Sequence, residues 1–166
     1  MARRVGAVFT SNVRLKLKRL EGDMQKHLLD HMIKSAEDVA ELARLNVPVD
    51  TFTVEDSIIV EKPRRDGINF AYTFTVGVNT NKFNSIASQR KRNWNANKFA
   101  YFDVWLHEST YSLGERSIAK NLRVQSESPY ARVGNKFLTR ASESLDDDIN
   151  RAASTIVKNI ARRHNR

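Results

Sequence analysis

Apolar and polar side chains alternate in the stretch NVRLKLKRLEG, with Val13, Leu15 and Leu17 on one side. A period of two predicts a short strand with one buried face. Its Lys and Arg positions face water or a partner, which discourages stray edge pairing. From Asp23 the period lengthens. Met24, Leu28, Met32, Ala36, Val39, Ala40 and Ala43 recur at three- and four-residue spacing. That spacing predicts an amphipathic helix, with Asp23 as its N-cap after Gly22. The helix should stop near Leu45 or Asn46, because the residue before Pro48 is pushed out of helical geometry.

A dense corner follows, LARLNVPVDTFTVEDSI, residues 42 to 58. The side chains of Asp50 and Thr51 can bond exposed backbone groups in a turn, which shapes the path from helix to strand. DSIIVEKP and GINFAYTFTVGVN are rich in β-branched and aromatic residues and predict two strands. RRDG between them reads as a hairpin turn, with Asp66-Gly67 its strongest part. NKFAYFDVWLHES predicts a short helix, its apolar side formed by Phe99, Phe102, Val104 or Trp105, and Leu106. From near Gly134, one stripe carries Phe137, Leu138, Ala141, Leu145, Ile149, Ala152, Ile156 and Ile160, the mark of a long terminal helix.

Two connections are long: residues 80 to 98, and residues 109 to 133. Loops beyond about 12–15 residues are uncommon in compact domains and tend to be functional or to order on binding. Phe83, Trp94 and Tyr111 within them suggest packing against a neighbouring subunit or into a local core. Both loops and both termini are expected to order on assembly. The predicted architecture is α+β, a single domain over 1–166. A small antiparallel sheet packs against a long helix in the N-terminal half and a long C-terminal helix. Residues 1–12 and 161–166 are expected to be basic tails.

Charge sharpens this picture. The net charge is +9, and residues 1 to 20 hold Arg3, Arg4, Arg14, Lys16, Lys18 and Arg19 with no acid. Residues 158 to 166 hold Lys158, Arg162, Arg163 and Arg166, again with no acid. The stretch between has 18 basic residues against 19 acidic ones, so the excess sits at the two ends. Such blocks are solubilising termini, or arms for an acidic protein surface or nucleic acid. No cysteine is present, which excludes disulfides and thiolate sites and suits a reducing compartment. No apolar run approaches the roughly 18 residues of a membrane span. The N-terminus is too broken for a signal peptide, so a cytoplasmic site of synthesis is expected.

Candidate chemistry is sparse. There is no GxxxxGK loop, no GxGxxG and no GxSxG elbow. His27 and His31 share a helix face, yet two ligands alone make a poor metal site, and no cofactor is expected. Asp103 and His107 have the same spacing, with Glu108 alongside. They form either an acid–base pair of a small basic ribonuclease or a helix-stabilising pair. Asp146, Asp147 and Asp148 diverge by about 100° each on a helix and cannot converge on one ion. RKRNW joins Arg90, Lys91 and Arg92 to Trp94, a pattern that can grip single-stranded nucleic acid.

The order of elements and three short motifs resemble the tail-completion, or head–tail joining, family of the necks of long-tailed bacteriophages. The matching residues are Pro48, Val49, Asp50, Thr51, Ser57 and Ile58 at the corner. Glu108 and Thr110 match after the short helix, and Phe137, Leu138 and Ala141 open the last one. Phe52 stands where the family has glycine, so the turn avoids a positive φ or Phe52 projects as a contact. Ser109 replaces an aromatic-glycine pair. The resemblance implies a tail-terminator-like structural protein of the virion, assembled in the bacterial host cytoplasm, without catalysis or membrane contact. It implies rings of about six subunits between a portal-side adaptor or stopper and the tail tube or tail terminator. DNA would pass through, with transient non-specific contact at most. Candidate contacts to neighbours are Phe52, Phe83, Arg90, Lys91, Arg92, Trp94, Tyr111, Arg3, Arg4, Arg162 and Arg163. A small basic nucleic-acid-binding protein is the alternative.

Overall fold

A computed structural model describes residues 8–11, 22–49, 53–66, 71–90 and 102–164. In chain order the elements are β1 (Val8–Ser11), α1 (Gly22–Asn46), α2 (Thr53–Ser57), β2 (Ile58–Val60) and β3 (Arg64–Asp66). They continue with β4 (Ala71–Val78), α3 (Thr80–Arg90), α4 (Phe102–Glu108), α5 (Glu115–Glu127) and α6 (Phe137–His164). The fold is α+β.

β4 organises the sheet. Both β1 and β2 pair with it antiparallel, in the order β1-β4-β2, and β3 also pairs with β4. Phe74, Val76 and Val78 alternate into the core, as period two requires. β2 and β3 are interrupted at Glu61-Lys62-Pro63. Between the pairs Val60↔Val76 and Arg64↔Thr73, four residue steps on one strand face three on the other, the offset of a bulge. Pro63, with no N–H to give the ladder, sits in that interval.

α1 and α6 form the helical layer and run antiparallel. Leu28, near the start of α1, packs with Ala153 and Ile160 late in α6. His31 meets the carbonyl of Ile149 at 3.1 Å. At the other end, the carbonyl of Asn46 accepts the N–H of Gly134, just ahead of α6. The main core joins Val39, Ala40 and Ala43 of α1 to the sheet and to Phe137, Leu138 and Ala141 of α6.

Several expectations are corrected. RRDG is not the turn, because Arg64–Asp66 forms β3. Asp56 and Ser57 belong to α2, so the strand begins only at Ile58. Residues 8–11, read as part of a basic tail, form an edge strand. The strand expected at Val13–Leu17 lies outside the described residues. Residues 161–164 continue α6 rather than forming a tail. Above all, both long loops contain helices, α3 and α5, already formed in the single chain.

The start of α3 shows why. Asn79 is its N-cap: its Oδ1 accepts the N–H of Lys82 at 2.9 Å, and its carbonyl that of Phe83 at 2.8 Å. Phe83 and Ala87, four apart, are then buried against the core. Phe83 is 2% exposed, so it is a core residue of this subunit and not a contact for a neighbour. Phe83→Ala should cost about 3–5 kcal/mol in urea unfolding. A change within about 0.5 kcal/mol would place Phe83 back on the surface.

Candidate interaction surface

The last carbonyls of a helix have no partner within it. In α1 those acceptors are met from far along the chain. The ammonium of Lys120 donates to the carbonyls of Arg44 at 2.8 Å and Val47 at 3.0 Å. Its third bond goes to Oε2 of Glu55 in α2, at 2.7 Å. All three N–H donors of the Lys120 side chain are thereby used, which is what its burial requires. One turn earlier, Ser117 accepts the N–H of Val49 at 2.9 Å. Asn121 accepts the N–H of Val133 at 2.9 Å, and the side-chain oxygen of Asn46 accepts that of Arg132 at 2.6 Å. Arg44 donates to the carbonyl of Ile58 at 2.9 Å. The bonds of Ser117, Lys120 and Asn121 fasten α5 to the corner, to α2 and to the run into α6, while Arg44 ties the end of α1 to β2.

The motif residues gather here. Val47 and Pro48 are buried behind Val49, while Ser57 and Ile58 are fully buried at the junction of α2 and β2. The Ser57 hydroxyl donates to the carbonyl of Val54 at 3.0 Å. Asp50, Thr51 and Phe52 lie outside the described residues, as do Arg3, Arg4, Lys91, Arg92 and Trp94. Arg90 closes α3, Arg163 lies in the last turn of α6, and Arg162 is exposed.

A second cluster ties α4 to α6. Lys136, at φ 51°, donates its N–H to the carbonyl of His107. The buried His107 ring meets Oε1 of Glu108 at 2.6 Å and packs edge-on against Phe137 at 4.9 Å. The Glu108 contact lies within α4, and it is the Lys136 bond and the Phe137 ring that hold α4 against α6. The Asp103 side chain lies outside the described residues. Tyr111 stacks on Trp105 at 5.5 Å and donates to the carbonyl of Leu106 at 3.0 Å. The side chain is half-buried, and its hydroxyl is thereby bonded within the subunit. Burial pushes it from 10.0 up to about 12, against the pull of Arg140. Burial likewise lowers the Arg140 guanidinium, and Arg132 acts in the same direction while Tyr111 opposes it. Nε and Nη2 of Arg140 are buried without a hydrogen bond. Gly134, at φ 151°, passes against that guanidinium, and a Cβ there would come to 3.1 Å from Nη2.

Metal chemistry finds little support among the described residues. His27 is exposed, whereas His31 is engaged by α6. No group of three ligating side chains converges among them. Asp146, Asp147 and Asp148 are exposed. Among the described residues no helix is long and apolar enough to cross a membrane.

What remains is a surface. α5 turns Ser117, Lys120 and Val124 inward. Ile118 and Leu122 therefore point out, 49% and 67% exposed. Arg116 and Arg123 occupy the opposite flank of the outward half, beside an open recess of about 480 Å³ reaching Val49. α5 carries its most regular apolar spacing, Ile118 to Leu122, on the outward face and not toward the core. Its signal is Ser117, Lys120 and Val124 at three- and four-residue spacing, with polar side chains at two of the three inward positions. Comparison with family models, with curated proteins and with solved structures returns no match for this chain.

Lys120→Met keeps the length of the side chain and removes its donors. It should destabilise the fold by roughly 3–5 kcal/mol in denaturant unfolding, since buried carbonyls and Glu55 lose their partner. An effect under about 1 kcal/mol would mean the corner is held by packing alone.

Tyr111 generates an alkaline prediction. Its native pKa is raised, so the folded state holds the proton more tightly than the unfolded chain. The stability it contributes is complete below about pH 10 and is lost as pH rises through about 12. Tyr111→Phe loses one hydrogen bond, about 1 kcal/mol, at neutral pH. Its deficit in thermal midpoint should then shrink steadily above about pH 10. A deficit independent of pH would show that the phenol ionises freely in the fold.

Proposed function

We propose that this chain is a structural subunit of the neck of a long-tailed phage. Copies would form a ring that joins the head connector to the tail and lets DNA pass. The observation that supports this best is the outward face of α5. A helix anchored through buried polar bonds presents Ile118 and Leu122 to solvent, and such a face suits a protein partner. Of the family-like motif, Val49 is bonded directly to that helix through Ser117, while Pro48, Ser57 and Ile58 are buried at the corner. On this reading the chain is not catalytic, and its neighbours are copies of itself, a portal-side adaptor or stopper, and a tail tube or terminator protein. Its place is the virion, reached by assembly in the host cytoplasm.

A ring subunit uses head-to-tail contacts that close by rotation. Light scattering and negative-stain imaging of the purified chain, alone and with portal-side and tail-tube partners, should give closed rings of about six subunits. Monomers under every one of these conditions would overturn the reading. Tight, salt-sensitive binding of DNA by such monomers would favour the nucleic-acid alternative.

A further inference from the structure

Away from α5, a groove of about 300 Å³ opens between α1, β4 and α6. One of its sides is apolar, with Met32, Ala36 and Val39 from α1 and Phe74 and Val76 from β4. The other side comes from α6, which contributes Ser142 and Ile149 together with two carboxylates, Glu143 and Asp146, that stand exposed. An anionic ligand such as a fatty acid would meet those carboxylates with like charge. The groove suits a partner that is apolar on one flank and cationic on the other.

α5 has that character. At about 100° per residue, Ile118 and Leu122 share one flank of its outward half, and Arg116 and Arg123 share the other. Glu127 stands there too, 3.9 Å from Arg123, an exposed pairing weak enough to be exchanged for a partner's carboxylate. The scale also agrees. Ile118 and Leu122 are about 6 Å apart along the helix axis, and the groove extends about 10 Å along α1 from Met32 to Val39. Within one chain, α5 is bonded to the far end of α1, at Arg44 and Val47, so it cannot reach its own groove.

We infer that α5 of one copy docks in the α1/β4/α6 groove of a second copy. Ile118 and Leu122 enter the apolar side, while Arg116 and Arg123 pair with Glu143 and Asp146. The two surfaces differ, so the contact is heterologous and repeats from copy to copy, as a ring demands. This inference rests on the ring reading and names the surfaces that build the ring.

Charge reversal tests it. Arg116→Glu with Arg123→Glu makes α5 acidic against an acidic groove, and Glu143→Lys with Asp146→Lys makes the groove basic against a basic α5. All four side chains are exposed, so both variants should keep the wild-type circular dichroism and melting curve. Each alone should self-associate roughly a hundredfold more weakly than wild type in sedimentation equilibrium. An equimolar mixture should recover association, since each variant then offers the other a complementary face. A chain carrying all four changes should recover it as well. Leu122→Asp alone should weaken association, and mixing it with the Glu143→Lys, Asp146→Lys variant should recover pairs but no larger assembly, because one intact α5 then meets one intact groove. If wild type assembles and the charge variants assemble equally well, the contact is wrong and the ring reading stands. If the mixture fails to recover, the pairing of these two surfaces is wrong. If wild type never assembles, both fall together.

Discussion

The end of α1 is buried, and everything around it follows from that. A helix that stops inside a protein leaves carbonyls that water cannot reach. Here the donor is Lys120, brought from α5 to the carbonyls of Arg44 and Val47. An ammonium in such a place is tolerable only when all three of its N–H groups are bonded, and the carboxylate of Glu55 completes the set. The bond to Glu55 draws α2 to the corner. Ser57, at the end of α2, accepts the N–H of Asn79, the residue that caps α3. One buried cation thus sets the relative places of α1, α2 and α5, and through Ser57 it reaches α3.

The elements legible in the sequence are those whose apolar side chains face the core. α1 shows this plainly: its stripe from Leu28 to Ala43 is the buried stripe, and Pro48 marks its end. α6 and β4 behave alike, except that Ala153 is more deeply buried than Ala152 on the expected stripe. α5 was hidden for a physical reason. Its inward positions include a serine and a lysine, while its large aliphatic residues face out, so hydrophobic periodicity points the wrong way. α3 was hidden by its first residues. TNKFNS reads as turn chemistry, but Asn79 ahead of it is a helix cap, and only the Phe83–Ala87 spacing carried the signal. Pro63 lies in the break between β2 and β3, and Arg64–Asp66 pairs with β4 beyond it.

The candidate site was less legible than the fold. Pro48, Val49, Ser57 and Ile58 were marked by resemblance as a turn motif; Pro48, Ser57 and Ile58 are buried, and Val49 is half-buried with its N–H bonded to Ser117. Of the side chains expected to face neighbours, Phe83 is core and Tyr111 is half-buried with its hydroxyl bonded inward. Isolated aromatics in a polar stretch fit a core anchor and a partner anchor equally well. Only the third dimension separates the two, because burial depends on which element packs above them.

An exposed aliphatic pair on a disordered loop would carry little weight for association, since binding would have to order the loop at a cost of about 1–2 kcal/mol per residue. α5 is different. Its backbone is a formed helix, anchored at Ser117, Lys120 and Asn121, three positions within five residues. The ordering entropy has been met in the folding of the subunit, by polar bonds on the inner side. Ile118 and Leu122 are then offered to a partner in fixed geometry, with Arg116 and Arg123 held on the other flank. The inversion that hides this helix from hydrophobic pattern is therefore the same feature that makes it a rigid contact surface. Polar side chains satisfy the interior, which frees the apolar ones for the outside.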